Sequence, residues 1–244
     1  MDALTIAAAS GLRSRIESLD LLANNLANTA TAGFKRDQEF YGLFTSAEAD
    51  SDDPTSTLPV IQRQWTDFSP GTLNPTGNSM DVALSGPGFF AVKGPGGTLY
   101  TRNGNLQILH SGQLATADGY PLLDVNGQPI TVTSGKPIEI SGDGTVSQGN
   151  QSIGQLKVVN FPNTVSLEKV GATCFRNLNP KLQPTAATGT EVAQGKLEGS
   201  NVPVAEAAMR LVGVMRQFEM LQKAVTISSD MDTKTIQEVA RVGG

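Results

Sequence analysis

Beyond Pro203 the chain has no proline as far as about Val239, and apolar residues return every third or fourth position. That spacing marks one face of a helix and rules out a strand. Val204, Ala208, Leu211, Met215, Phe218, Val225, Ile236 and Val239 keep an alternating step of four and three, broken by Gln222, Ser229 and Asp232. A second stripe of Ala207, Leu211, Val214, Phe218, Leu221 and Val225 widens the apolar face beyond what one partner helix covers. Asn201 is placed to cap this helix, and Pro203 is tolerated in its first turn. The other end of the chain reads the same way. Leu4, Ala8, Leu12, Ile16, Leu19, Ala23 and Leu26 share a face, while Arg13, Arg15, Glu17 and Asp20 lie mostly opposite. A helix over 1–28 would be about 40 Å long at ~1.5 Å per residue. It is expected to stop near Asn28, where β-branched residues lead to Gly33, which can take positive φ.

Between the two helices the chain changes character. Ser46 to Thr57 is acidic, polar and free of large apolar residues, the pattern of a solvated linker or loop. Read as a metal site it lacks both a glycine-turned ligand loop and distant ligands. From Leu58 to Glu198 short strand patterns alternate with turn signals, and helix content is expected to be near nil. Asn103-Gly104, between Leu99–Arg102 and Leu106–Leu109, has the composition of a type I′ hairpin turn, and Asp118-Gly119, Asn126-Gly127 and Asp143-Gly144 repeat the signal. Gln155–Phe161 reads as a strand that ends before Pro162. The expected fold class is α+β: long N- and C-terminal helices forming a coiled-coil-like helical domain, with an all-β central domain of short strands. The expected boundaries are 1–41 for the N-terminal helix and its exit, 42–57 for the linker, 58–199 for the β domain and 200–244 for the C-terminal helix. The two helices could seal each other within one chain, or pack with several neighbours in a tube.

Chemistry is sparse. A net charge of −5, without a run of Lys and Arg, excludes the basic stripe that a nucleic-acid binder needs. Cys174 is the sole cysteine, so neither an intramolecular disulfide nor a cysteine metal cluster can form. His110 is the sole histidine, and no Gly-x-Ser-x-Gly elbow accompanies it. The turns Gly86-Pro87-Gly88 and Gly94-Pro95-Gly96-Gly97 each lose an amide donor to proline and open no helix, unlike phosphate loops. Asp81, Glu139 and Asp143 are available as a carboxylate pair for glycan cleavage, but one tryptophan is thin provision for sugar stacking. The expectation is no catalytic residue, no cofactor and no metal, with a glycan-binding or glycan-cleaving β domain as the alternative. No stretch approaches the ~20 apolar residues of a membrane span. Met1-Asp2-Ala3-Leu4 lacks the basic start and apolar core of a cleaved signal peptide, so an exported chain of this kind is expected to use another route.

Leu22-Ala23-Asn24-Asn25-Leu26-Ala27-Asn28, continued by Thr29–Lys35 with Gly33-Phe34-Lys35, resembles the N-terminal signature of flagellar rod and hook proteins. Asp81–Val92 with Tyr100-Thr101-Arg102-Asn103-Gly104-Asn105 is similar to that family's central signature. Leu197-Glu198-Gly199-Ser200-Asn201-Val202 with Arg216-Gln217-Phe218-Glu219 is similar to its C-terminal one. The Met-Asp start, the Leu-Glu-Gly-Ser-Asn-Val junction and Arg-Gln-Phe-Glu-Met look most like proximal-rod members, with distal-rod members next. The resemblance implies a periplasmic, torque-transmitting rod in the flagellar basal body. Its partners would be other copies of this chain, neighbouring rod proteins and the flagellar type III export apparatus. It also implies an assembly interface over Leu12, Ile16, Leu19, Ala23, Asn24, Asn25, Leu26, Ala27, Asn28, Gly33, Phe34, Asn201, Leu211, Met215, Phe218, Leu221 and Val225. Read physically, Ala23 and Ala27 let helices approach, Leu26 anchors the seam, and the three asparagines can fix register between subunits without burying net charge.

Overall fold

A computed structural model of the chain describes residues 3–45, 57–133, 135–149 and 151–242. The acidic stretch 46–56 lies outside the described residues. The chain divides into two units. The first comprises Met1–Ala27, Asp37–Trp65 and Pro203–Gly244, and the second Asn28–Arg36 and Thr66–Val202.

The first unit holds helix α1 (Ala3–Ala27), the strands β1 (Asp37–Thr45) and β2 (Thr57–Thr66) paired as a two-stranded ribbon, and helix α2 (Val204–Val242). Helix α1 stops after Ala27. Asn28 takes over as a turn, its carbonyl accepting from Thr31 N at 3.2 Å and its side-chain Oδ1 from Thr31 Oγ1 at 3.1 Å. The expected fold class needs correction. A coiled coil requires apolar residues at both core positions of both helices. Helix α1 instead buries Ser14, Ser18 and Asn25 together with Leu21 and Leu22, and leaves Ile16 47% exposed. The unit is two unequal helices, of 25 and 39 residues, plus a β ribbon, and not a coiled-coil-like helical domain.

The second unit is built from short antiparallel strands. A six-stranded sheet runs in the order β13 (Leu167–Val170), β14 (Cys174–Asn177), β6 (Gly97–Thr101), β5 (Phe89–Gly94), β12 (Val158–Asn160), β15 (Thr185–Ala186). Around it lie the pairs β3 (Leu73–Pro75) with β17 (Lys196–Glu198), β4 (Val82–Ser85) with β16 (Glu191–Gln194), and β7 (Leu106–Ile108) with β8 (Leu114–Thr116). A triplet of β9 (Ile138–Ile140), β10 (Thr145–Gln148) and β11 (Gln151–Gln155) completes the pairing. Alternation sorts the central strands onto two cores. Phe90, Val92, Leu99 and Cys174 enter one cluster, while Phe89, Ala91, Tyr100 and Phe175 enter the other. Burial on both faces explains the unbroken apolar run Phe89–Val92. The second cluster is locked by aromatic edges, with Phe68 against Phe175 at 4.9 Å and Tyr100 against Phe161 at 4.8 Å between ring centroids.

The turn signals are used unevenly. Gly119, Gly127 and Gly144 all take positive φ at their turns. Asn103-Gly104 does not form the expected hairpin: β6 pairs with β5 and β14, and β7 with β8. Gly104 N–Cα–C packs against β4, its carbonyl accepting from Val82 N at 2.9 Å. A Cβ at Gly104 would fall 1.7 Å from the Val82 carbonyl oxygen, so this glycine serves close backbone approach and not a turn.

Cys174 is buried, and burial pushes its thiol up to about 11. At pH 8 a disulfide reagent should therefore label the native chain only as fast as the β unit opens, and label it at once in guanidinium chloride. Rapid labelling of the native chain would contradict this core placement.

Candidate assembly interface

The inward face of α1 mixes the buried leucines Leu21 and Leu22 with small and polar residues. At Gly11 a Cβ would sit 3.6 Å from Leu221 Cδ1 of α2. Ser14 Oγ is buried without a hydrogen-bond partner. Ser18 Oγ donates to Glu39 Oε2 at 2.6 Å, and Asn25 clasps Asp37 twice, accepting from its N–H at 3.0 Å and donating to its carbonyl at 2.8 Å. Within the single chain Asn25 thus serves the ribbon strand β1. At 3.6 residues per turn, this inward face lies roughly 140° around the helix from the seam Leu12, Ile16, Leu19 and Ala23. Within the single chain that seam is half-buried at Leu12 and Leu19 and exposed at Ile16 and Ala23. Asn24 and Ala27 are exposed too, while Leu26 and Asn28 are half-buried.

Helix α2 shows the same asymmetry. Its covered stripe is the second one: Ala207 is buried, and Leu211, Val214, Phe218, Leu221 and Val225 are half-buried. Met215 is exposed. The far side carries further uncovered apolar side chains, Met209 at 70%, Met220 at 64% and Ile227 at 47% exposure.

Gly33, Phe34 and Asn201 lie in the second unit and do something different. Residues 28–36 form a strap laid onto the β unit. Gly33, at φ 68°, donates its N–H to the Glu198 carbonyl at 2.7 Å. A Cβ there would stand 2.3 Å from Asn103 N, so glycine is required on two counts. Phe34 is fully buried, with Lys169 Nζ 4.0 Å from its ring centroid. Asn201 does not cap α2. Its Oδ1 accepts from Arg36 N at 2.7 Å, and its Nδ2 donates to the Asp67 carbonyl at 2.8 Å.

Sequence reasoning missed a buried charge cluster beneath the strap. Glu198 Oε1 accepts from Lys35 Nζ at 2.6 Å and from Gly71 N at 2.9 Å, and its Oε2 accepts from Arg102 at 3.0 Å. Lys35 also donates to the Ser69 carbonyl at 2.7 Å, and Arg102 to the Gly86 carbonyl at 2.7 Å. Burial lowers the Lys35 amine below its ordinary range, and the Glu198 charge only partly opposes that shift. Nearby, burial raises the Asp67 carboxyl, but hydrogen bonds from Ser69 and the Arg36 guanidinium prevail and hold it below the usual range. In the sequence the cluster appears only as one charged residue inside each of Gly33-Phe34-Lys35, Thr101-Arg102-Asn103 and Leu197-Glu198-Gly199.

The candidate glycan carboxylates do not behave as a pair set aside for catalysis. Asp143 accepts from both N and Oγ1 of Thr145 in its turn, Asp81 is buried, and Glu139 and His110 are exposed. Among the described residues no group of three or more His, Cys, Asp and Glu is arranged to hold a metal, and no helix is long and apolar enough to cross a membrane.

Two families match parts of this chain. That described as the flagellar hook protein FlgE/F/G D1 domain matches residues 83–148, and that described as the flagellar basal body rod FlgEFG protein C-terminal matches 193–238. The flagellar basal-body rod protein FlgG of Buchnera aphidicola subsp. Schizaphis graminum is 34% identical over 255 residues, covering 93% of this chain and 96% of the relative. The chain belongs to the flagellar basal-body rod protein family. FlgF of Caulobacter vibrioides is 29% identical over 227 residues, covering 92% of each chain. FlgG of Bacillus subtilis is 30% identical over 246 residues, covering 91% of this chain and 93% of the relative. Arg102 and Glu198 fall inside the two family-matched regions of this rod-family chain, and Lys35 falls outside both.

Replacing Gly33 by Ala tests the strap. Left-handed backbone alone costs a residue with a Cβ about 1–2 kcal/mol, and the overlap with Asn103 adds to it. Denaturant unfolding of the full chain should show at least this loss, and an unchanged midpoint would contradict the strap geometry.

Proposed function

We propose that this chain is a structural subunit of the flagellar basal-body rod, acting by assembly and not by catalysis. The observation that carries this is the pair of apolar faces left wholly or partly uncovered in the single chain. The seam Leu12–Ile16–Leu19–Ala23 on α1 is only partly covered, with Ile16 and Ala23 exposed, and the side of α2 bearing Met209, Met220 and Ile227 is exposed. Covering such surface releases ~25 cal/mol per Å², which supplies a driving force for association with other copies and with neighbouring rod proteins. Two separate faces on one chain favour head-to-tail contacts, which extend as a helix when the rotation does not close.

In this reading the rod crosses the periplasm and carries torque from motor to hook, and the subunits arrive through the flagellar type III export apparatus. Torque is then shared over many shallow contacts of large total area. Obligate interfaces of this kind commonly bury more than ~2,000 Å². We place the subunit in the proximal rod. Arg216-Gln217-Phe218-Glu219-Met220, which is similar to proximal-rod members, supports that position.

Ile16→Glu and Met220→Glu test the assembly faces. Each changes an exposed position, so the free chain should unfold within about 0.5 kcal/mol of the wild type. Cells carrying either variant as the sole copy should build rods poorly and lose swimming. Normal swimming with both variants would remove the assembly reading.

A further inference from the structure

We infer that Lys35, with Arg102 and Glu198, is a positioning residue: the buried charge cluster sets the places at which the chain enters and leaves the β unit, and it is kept for that geometry and not for stability. This rests on the assembly reading above, since the geometry matters only if the helical unit must meet neighbours in a fixed way.

The chain passes between the units four times: before Asn28, after Arg36, at Thr66 and after Val202. The strap 28–36 is bounded at both ends by residues of the other unit, so only non-covalent contacts place it on the β unit. Each member of the cluster belongs to a different stretch. Lys35 sits on the strap, and Glu198 closes β17 shortly before the last passage. Gly71 and Ser69 follow the third passage, and Arg102 is anchored to the β core through the carbonyls of Leu84 and Gly86. One carboxylate therefore ties three passages to the core by directional bonds. Around it, Arg36 O accepts from Asp67 N at 2.9 Å, Asn201 bridges Arg36 and Asp67, and Lys169 Nζ donates to the Lys35 carbonyl at 2.7 Å. Apolar packing tolerates sliding, whereas a 2.6 Å bond to one oxygen does not.

As a source of stability the cluster is poorly composed. It buries two cations against one anion, with the Lys35 side chain 0% exposed and that of Glu198 1% exposed. Arg102 Nε has no partner. Desolvating ions costs as much as or more than their attraction returns, and apolar replacements of similar volume are often neutral or stabilising. Lys35→Met is the informative change. Methionine matches the length of the lysine stem, Glu198 keeps Arg102 and Gly71, and the remaining pair is neutral. The Ser69 carbonyl keeps a donor in Asn201 Nδ2 at 3.2 Å.

The full-length Lys35→Met chain should unfold at the same or a higher denaturant midpoint than the wild type. In the same chain the amides of Gly33 and Arg36 should exchange roughly tenfold faster or more while β5 and β6 keep their protection. Cells with this variant as the sole copy should swim measurably less well. A variant that fails to fold, or whose midpoint falls with uniformly faster exchange, would show the cluster to be a stabilising element and overturn the proposal. Normal swimming despite a loosened strap would overturn it as well. If the assembly reading itself were wrong, Ile16→Glu would also leave swimming intact, so the two failures can be told apart.

Discussion

The buried carboxylate of Glu198 is the constraint on which the β unit's exits depend. An ionised side chain with 1% exposure persists only where donors surround it, and here they come from a lysine, an arginine and a backbone amide on three separate stretches of chain. Those donors are what hold the strap. Gly33 completes the arrangement from the backbone side, giving its N–H to the carbonyl of the same Glu198. Phe34 is fully buried beside it, with Lys169 Nζ over its ring. A β unit cut from the chain without residues 28–36 would lose Phe34 and Lys35 together, leaving a cavity and a carboxylate short of one partner.

In the helical unit the polar residues face inward and the leucine seam faces away. Most of a helix's stability in a protein comes from tertiary packing of its faces. Helix α1 gains cover from α2 near Gly11 and from the ribbon through Ser18 and Asn25. Such polar contacts are directional but contribute little net stability each, about 0.5–1.5 kcal/mol. The larger apolar return lies on the outer seam, available to neighbours. A subunit built this way holds its helices in place when single and stabilises them further when assembled, which suits a part whose working state is a polymer.

The sequence displayed both long helices, the glycine turn at residue 33 and the turns at Gly119, Gly127 and Gly144, because each depends on local periodicity or local backbone freedom. It misled where a local signal had a non-local use. Asn103-Gly104 has hairpin composition, yet the glycine is there to admit the Val82 carbonyl, a requirement set by a strand some twenty positions away. Asn201 has the composition of a cap but is spent on Arg36 and Asp67. The inward face of α1 was hidden for a different reason: amphipathic reading assigns leucines to the nearest core, and here Ser14, Ser18 and Asn25 share the core-facing positions with Leu21 and Leu22. The coiled-coil expectation failed on that point. Lys35, Arg102 and Glu198 were visible only as charges inside three family-like segments, and nothing short of the fold shows that they meet.

The outer side of α2 is exposed in the single chain, and in the proposed rod it is covered. Methionine reports on this directly, because peroxide converts an accessible thioether to the sulfoxide and a covered one slowly. Met209, Met215 and Met220 are exposed on α2, whereas Met80 packs against the β core as an internal reference. Oxidation of the dilute free chain should strike Met209 and Met220 well before Met80. In isolated basal bodies the account predicts that Met209 and Met220 become at least as slow as Met80. Equal rates for Met209 and Met220 in the free and assembled states would contradict it.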